Sequence, residues 1–220
     1  MAKKSNAGLQ RRRRGTPSSG RVRLREQFRS YARAVILEAG EDVMGAQGLH
    51  SARMEEVAQK ARVAVGTIYN LVGDRDALVA EILKLRHEQL LLLLQQTLEA
   101  VRTKQFREQA ELCLATLLAY FREHRRFYRM ALESELGPAC AHKQASQETQ
   151  AKIRQVFQEL VNRGVRTGAL RPNVKELGPA LLMGMMREVI MLDVESEHPS
   201  TARERVAEVL SVFIDGTGVK

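Results

Sequence analysis

The residues best suited to chemistry lie between Met54 and Leu78, where the chain reads MEEVAQKARVAVGTIYNLVGDRDAL. Met54, Val57, Ala58 and Ala61 recur at i, i+3, i+4 and i+7, the spacing of one buried helical stripe, and leave Glu55, Glu56, Gln59 and Lys60 to water. After a three-residue break, Val65, Ile68, Tyr69 and Val72 follow the same rule in a second short helix. Gly66, Thr67 and Asn70 then face outward, with Leu71 near the boundary. Such side chains supply no nucleophile and no acid–base pair. They supply hydroxyl and amide hydrogen bonds to phosphates and base edges, and room for the backbone to approach a duplex. The spacing therefore predicts a DNA-reading helix-turn-helix. Gly73-Asp74 ends the second helix and caps a third, whose amide-rich start is a further place for a phosphate.

The elements that must position this unit are helical. Among 220 residues, 44% are hydrophobic, only 5% are aromatic and Trp is absent, while Leu, Arg, Ala and Glu are the commonest residues. That length accommodates a small N-terminal module and a larger second domain. From Arg25, the residues Phe28, Tyr31, Ala32, Val35, Ile36, Ala39 and Val43 recur at helical period, giving a first helix that ends near 45–48. No Gly or Pro stands between Gly73 and Gly137, so polar turns at Thr103-Lys104 and Glu123-His124 must divide that interval. Helices are expected over 74–102, 105–122 and 124–135, then 145–166, 174–195 and 201–215, with Pro199 starting the last. The five leucines Leu90 to Leu94 fall far short of a membrane span.

The net charge of +9 is unevenly placed. Residues 1–25 hold nine of the 35 Lys and Arg and no acid, which leaves 26 basic residues to face 26 acidic ones in the body. A segment so charged, interrupted by Gly15-Thr16-Pro17-Ser18-Ser19-Gly20, is expected to be disordered when free. Beside a duplex it would neutralise phosphates and place Arg side chains in the minor groove. A solvated tail is the competing reading. The expected division is a basic arm over 1–24, a DNA-binding domain over 25–73 with its motif at about 53–72, and a helical regulatory and dimerisation domain over 74–220.

Other chemistries find no support in the residue pattern. His50, His87, His124, His142 and His198 are scattered, with no H-E-x-x-H run, and Cys113 and Cys140 are isolated. No catalytic residue, metal site or cofactor is expected. The basic N-terminus lacks the apolar stretch of a signal peptide, so a reducing cytoplasm is the expected location.

Ala61-Arg62-Val63-Ala64, Gly66-Thr67-Ile68-Tyr69, Val72, Asp74-Arg75-Asp76 and Leu78 stand in the order and spacing of a known stretch. It reads roughly A-G-V-S, G-T-L-Y, two variable residues, F, then x-S-K-E-x-L. On these residues the chain resembles the TetR-type bacterial transcriptional regulators. It departs at Arg62, where the family usually has Gly suited to a left-handed turn, and at Ala64, where it usually has a Ser cap; each change costs roughly 1 kcal/mol. Ala52-Arg53 also replaces a Thr/Ser pair, although Ser51 could cap the helix if the loop shifts.

The resemblance implies an all-α fold of about nine helices, in which the first helix completes a three-helix module and a C-terminal helical domain binds a ligand and dimerises. The expected DNA contacts are Arg53, Val65, Gly66, Thr67, Tyr69, Asn70 and Arg75, with Arg11, Arg12, Arg13 and Arg14 of the arm. The implied pocket for an unknown small-molecule effector would draw on Phe106, Cys113, Leu117, Tyr120, Phe121, Phe127, Tyr128 and Met183, each of which core packing explains as well, and on Arg187, which could instead be a dimer-interface partner. The final two helices would pair with their symmetry mates through Gly178, Leu181, Gly184, Met185, Glu188 and Leu192, and through Val206, Leu210 and Phe213. A two-fold homodimer also suits a palindromic operator in double-stranded DNA, because one recognition helix reads too few bases. The expected function is a sequence-specific, ligand-responsive regulator, with repression favoured because occupying a promoter needs no polymerase contact. The alternative is a helical interaction protein whose basic arm binds RNA or an acidic partner.

Overall fold

Nine α-helices and one short 3-10 turn carry the described residues of the computed structural model, which are 19–136, 143–196 and 201–218. The order is α1 (Ser19–Gln47), α2 (Met54–Ala61), α3 (Val65–Leu71), α4 (Arg75–Ala100), α5 (Phe106–Glu123), α6 (Arg125–Leu136), α7 (Lys143–Arg166), α8 (Gly178–Glu195) and α9 (Ala202–Thr217), with the 3-10 turn Pro172–Val174 before α8. The all-α fold thus matches the sequence expectation in class and in element order.

Local chemistry sets most of the boundaries. Asp74 caps α4, its carboxylate accepting the Ala77 N–H at 2.9 Å, an arrangement worth about 1 kcal/mol. Gly73 supplies the positive φ of 113° between α3 and α4, a conformation side chains rarely adopt. Thr201 and Glu204 close a reciprocal capping box at the start of α9. The expected helix at 174–195 instead begins at Gly178, because Pro172 and Pro179 stand where a helix starts rather than where it continues.

The core is one continuous cluster running from Ile36 in α1 to Phe213 in α9. The long α4 is its spine, packing most extensively on α7 and also on α5 and α1. Its inward row is Leu78, Ile82, Leu83, His87, Leu90, Leu94 and Leu98. On the far side, Asp193 of α8 is buried and receives two hydrogen bonds from the Arg122 guanidinium of α5, at 2.6 and 2.5 Å. A paired carboxylate of this kind fixes helix register, since removing one partner strands the other at a cost of about 3–5 kcal/mol.

Helix α1 departs from expectation in two ways. It begins at Ser19, inside the segment assigned to the arm, because the stretch RVRLREQ is rich in good helix formers. Its expected apolar face is buried only from Ile36 onward, whereas Phe28 and Tyr31 are 65% and 71% exposed. Phe28 and Tyr31 precede the stretch of α1 whose apolar residues join the core, so periodicity alone does not bury them. Arg11, Arg12, Arg13, Arg14 and Pro199 lie outside the described residues.

Candidate nucleic-acid interface and interior cavity

Helix α2 buries Met54, Val57, Ala58 and Ala61 as its spacing requires. It ends at Arg62, which adopts φ 56° and ψ 41°, while Val63 N–H closes back on the Ala58 carbonyl at 3.0 Å. Arg62 is the one non-glycine residue at positive φ among the described residues. The turn therefore keeps the left-handed geometry that a glycine would adopt more easily. Helix α3 opens at Ala64, extended at ψ 145° and without a side-chain cap; Arg53 opens α2 in the same uncapped way, so Ser51 does not cap it.

Only Ile68 of α3 is fully buried. The spacing placed Tyr69 inward as well, but it is 52% exposed. A helix of seven residues turns one narrow stripe toward α1 and α2, and Ile68 fills it. The exposed residues Gly66, Tyr69 and Asn70 then stand at i, i+3 and i+4 on a single outward face. A Cβ at Gly66 would meet nothing within 4 Å, so that face is open to a backbone or a base edge. Thr67, Val65 and Arg75 are half-buried at its margin, and Arg53 is exposed at the start of α2. The start of α4 offers less to a phosphate than expected, because Asp74 already holds the Ala77 amide and Asp76 adds a second carboxylate.

Two helices of the body grip this module. Glu133 of α6 accepts the Leu49 N–H at 2.7 Å, and Arg126 of α6 pairs with Asp42 of α1. Lys60 of α2 reaches the same Asp42 carboxylate at 2.7 Å. Burial would raise the Asp42 carboxyl, but Lys60 and Arg126 together hold it below its ordinary value. Gly45 is needed where these helices meet, since a Cβ there would collide with Arg126 Cβ. From α4, Arg86 pairs with Glu41 at 2.7 Å and Glu81 with Arg33.

A cavity of about 400 Å³ lies among α4 to α8, within the usual size range of small-molecule sites. Leu117, Phe121, Tyr128, Met183 and Arg187 line it. Phe106, Cys113, Tyr120 and Phe127 do not, and each has a packing reason. Phe106 covers Gly164, Cys113 is buried with its thiol pushed up to about 11, and Tyr120 is turned aside to donate to the Arg86 carbonyl at 2.7 Å. Phe127 is fully buried, stacked on Phe121 at 5.8 Å with nearly parallel planes, so it supports the wall from behind.

Sequence reasoning missed His87, Gln150 and Arg154, which also line the cavity. The signal for His87 was available, since it falls in the apolar row Leu83, His87, Leu90, Leu94 of α4. Its ring meets Phe127 edge-on at 5.2 Å. Burial lowers its pKa to about 4, opposed by a hydrogen bond with the Leu83 backbone, so it is neutral at pH 7.

The expected dimer residues divide into two groups. Leu181 and Leu192 of α8 are 51% and 61% exposed, and with exposed Gly184 and Glu188 and half-buried Met185 they form one open stripe. Val206, Leu210 and Phe213 are buried within the same chain, because α9 turns that face onto α5. Gly178 is also internal, seated against Val161, so none of these four is available to a second copy. Val212, not foreseen, is the exposed apolar residue of α9.

Residues 36–82 match the model of the N-terminal region of bacterial regulatory proteins of the tetR family. Over 180 residues the chain is 23% identical to an uncharacterized HTH-type transcriptional regulator, YhgD, from Bacillus subtilis (strain 168), covering 82% of this chain and 93% of that protein. Among solved structures, it resembles the transcriptional regulator FadR from Bacillus subtilis in complex with stearoyl-CoA, with a TM-score of 0.72 and 16% identity over 83% of this chain and 98% of that one. It also resembles the ketosteroid transcriptional regulator KstR2 of Mycobacterium tuberculosis, with a TM-score of 0.67 and 17% identity over 86% and 95% of the two chains. At such identities the structural likenesses speak for the fold.

Proposed function

We propose that the chain is a repressor of the TetR type, the family whose model its residues 36–82 match, that binds a palindromic operator as a homodimer and leaves it when a small molecule fills the cavity among α4 to α8. The observation that carries DNA reading is the outward face of α3, where Gly66, Tyr69 and Asn70 stand together over an otherwise packed module. Thr67, Tyr69 and Asn70 contact bases and phosphates, Val65 packs against them, and Arg53 and Arg75 anchor the flanking backbone. Arg11, Arg12, Arg13 and Arg14 add affinity that does not depend on sequence. Residues 25–73 act as the reading unit and 74–220 as the regulatory and dimerisation unit.

Dimerisation is supported by Leu181 and Leu192, two large apolar side chains of α8 that a lone chain leaves in water on either side of exposed Glu188. Regulation is supported by shared helices. Tyr128, Ala131 and Leu132 of α6 line the cavity, while Arg126 and Glu133 of the same helix hold α1 and the turn after it. In α4, His87 and Leu90 line the cavity and Arg86 holds Glu41. A ligand that favours one placement of α4 and α6 therefore favours one spacing of the two α3 helices. That a fold relative is described with stearoyl-CoA bound supports a ligand-responsive role. No helix among the described residues is long and apolar enough to cross a membrane, and the cytoplasm, where operators lie, is the proposed site of action.

Selection of DNA fragments from a random pool tests the proposal. A palindromic preference is expected from the native chain, and its loss from a Thr67→Ala, Tyr69→Ala, Asn70→Ala variant that keeps its helix content. Fragments without any shared palindrome, or a variant that selects as well as the native chain, would point to binding of RNA or an acidic partner through the arm instead.

A further inference from the structure

We propose that the cavity takes an anionic amphiphile, a molecule with an apolar body and a carboxylate or phosphate head, whose head rests between Arg154 of α7 and Arg187 of α8. The inference builds on the proposal that this cavity is the effector site. Its side chains are mostly aliphatic and aromatic, and the charged ones among them are the two arginines, with no carboxylate on the described lining. Both arginines are exposed as well as cavity-lining, which places their guanidinium groups at the opening rather than in the depths. A small hydrophilic anion would leave the walls of Leu117, Phe121, Ile153 and Met186 to water or empty space.

Helix α8 places one of these cations at the rim of the cavity. Arg187 follows Met186, which also lines the cavity, and its neighbour Glu188 stands about 100° further round the helix and is not part of the lining. Tyr128 donates its hydroxyl to the Arg187 backbone carbonyl at 3.3 Å, so α6 holds α8 at the residue where the head would bind. His87 contributes no competing charge, being neutral at pH 7, and serves the apolar body as a half-polar wall.

Isothermal titration of the full chain with dodecanoate, dodecyl phosphate and 1-dodecanol, all below their aggregation limits, tests the assignment. At least one of the anions is expected to bind about tenfold or more tightly than the alcohol, the effect of a charge-assisted contact. Which anion binds identifies the head as carboxylate or phosphate. In Arg154→Gln, Arg187→Gln, both exposed changes, that preference should vanish while the alcohol binds as before. Ala131→Trp, which fills the cavity, should abolish binding of all three. Equal binding of alcohol and anions, a preference that survives the double substitution, binding that survives Ala131→Trp, or no binding at all would overturn the assignment. Anion-selective binding that leaves operator occupancy unchanged supports the ligand class and overturns the regulatory role of the cavity.

Discussion

Glu133 of α6 accepts the backbone N–H of Leu49 at 2.7 Å, which ties the turn between α1 and α2 to a helix whose other residues line the cavity. Leu49 is buried, and removing Glu133 takes away the acceptor its N–H uses. Glu133→Ala is expected to lower the unfolding free energy by about 1–2 kcal/mol, the cost of an orphaned buried donor. Urea denaturation measures it, and Glu133→Gln, which keeps an acceptor, should recover most of the loss. Equal stability of all three proteins would show that the contact holds nothing.

The turn between α2 and α3 carries strain that two substitutions should relieve. Arg62 sits at φ 56°, and Ala64 occupies an extended cap position with no oxygen to offer α3. Arg62→Gly removes the left-handed cost and Ala64→Ser adds the cap, each expected to stabilise by about 0.5–1 kcal/mol. Thermal denaturation should show a higher midpoint for both. A lower midpoint for Arg62→Gly would mean that its side chain makes a contact outweighing the backbone strain.

His87 should make the protein acid-sensitive above the range of its carboxylates. Its folded pKa of about 4 lies below the unfolded value of 6.5, so the unfolded chain binds a proton first as pH falls. Its contribution is therefore intact above about pH 6.5 and declines toward pH 4. Between pH 7 and pH 5 the loss should be about 2 kcal/mol. Denaturation midpoints for native and His87→Leu proteins at the two pH values decide this. The substitution should flatten the difference, and an equally steep decline in the variant would place the proton elsewhere.

The open stripe of α8 and the buried stripe of α9 should respond oppositely to change. Leu181→Glu with Leu192→Glu alters only exposed positions, so sedimentation should report a folded monomer in place of a dimer. Leu210→Ala opens the chain's own core and should cost about 2–5 kcal/mol of stability without selectively dissociating the dimer. A dimer that persists in the double Glu variant would locate the interface on another face.

The helical class, the element order and the helix-turn-helix were legible in the sequence because each depends on near neighbours. Three- and four-residue spacing writes a helix face directly into the chain, and Asp74 announces a helix start by its own side-chain chemistry. Spacing alone turns Met54, Val57, Ala58 and Ala61 inward, and all four are buried.

What spacing does not encode is whether anything lies opposite the face it defines. Phe28, Tyr31 and Leu181 belong to apolar stripes as regular as that of Val206, Leu210 and Phe213, yet the former stand in water and the latter in the core. Only the arrangement of α1, α5, α8 and α9 decided which stripe met a neighbour. The cavity is likewise a property of five helices at once, which is why Phe127 became its support and His87, Gln150 and Arg154 its lining. Burial is a sum over contacts distant along the chain, and no local window contains that sum.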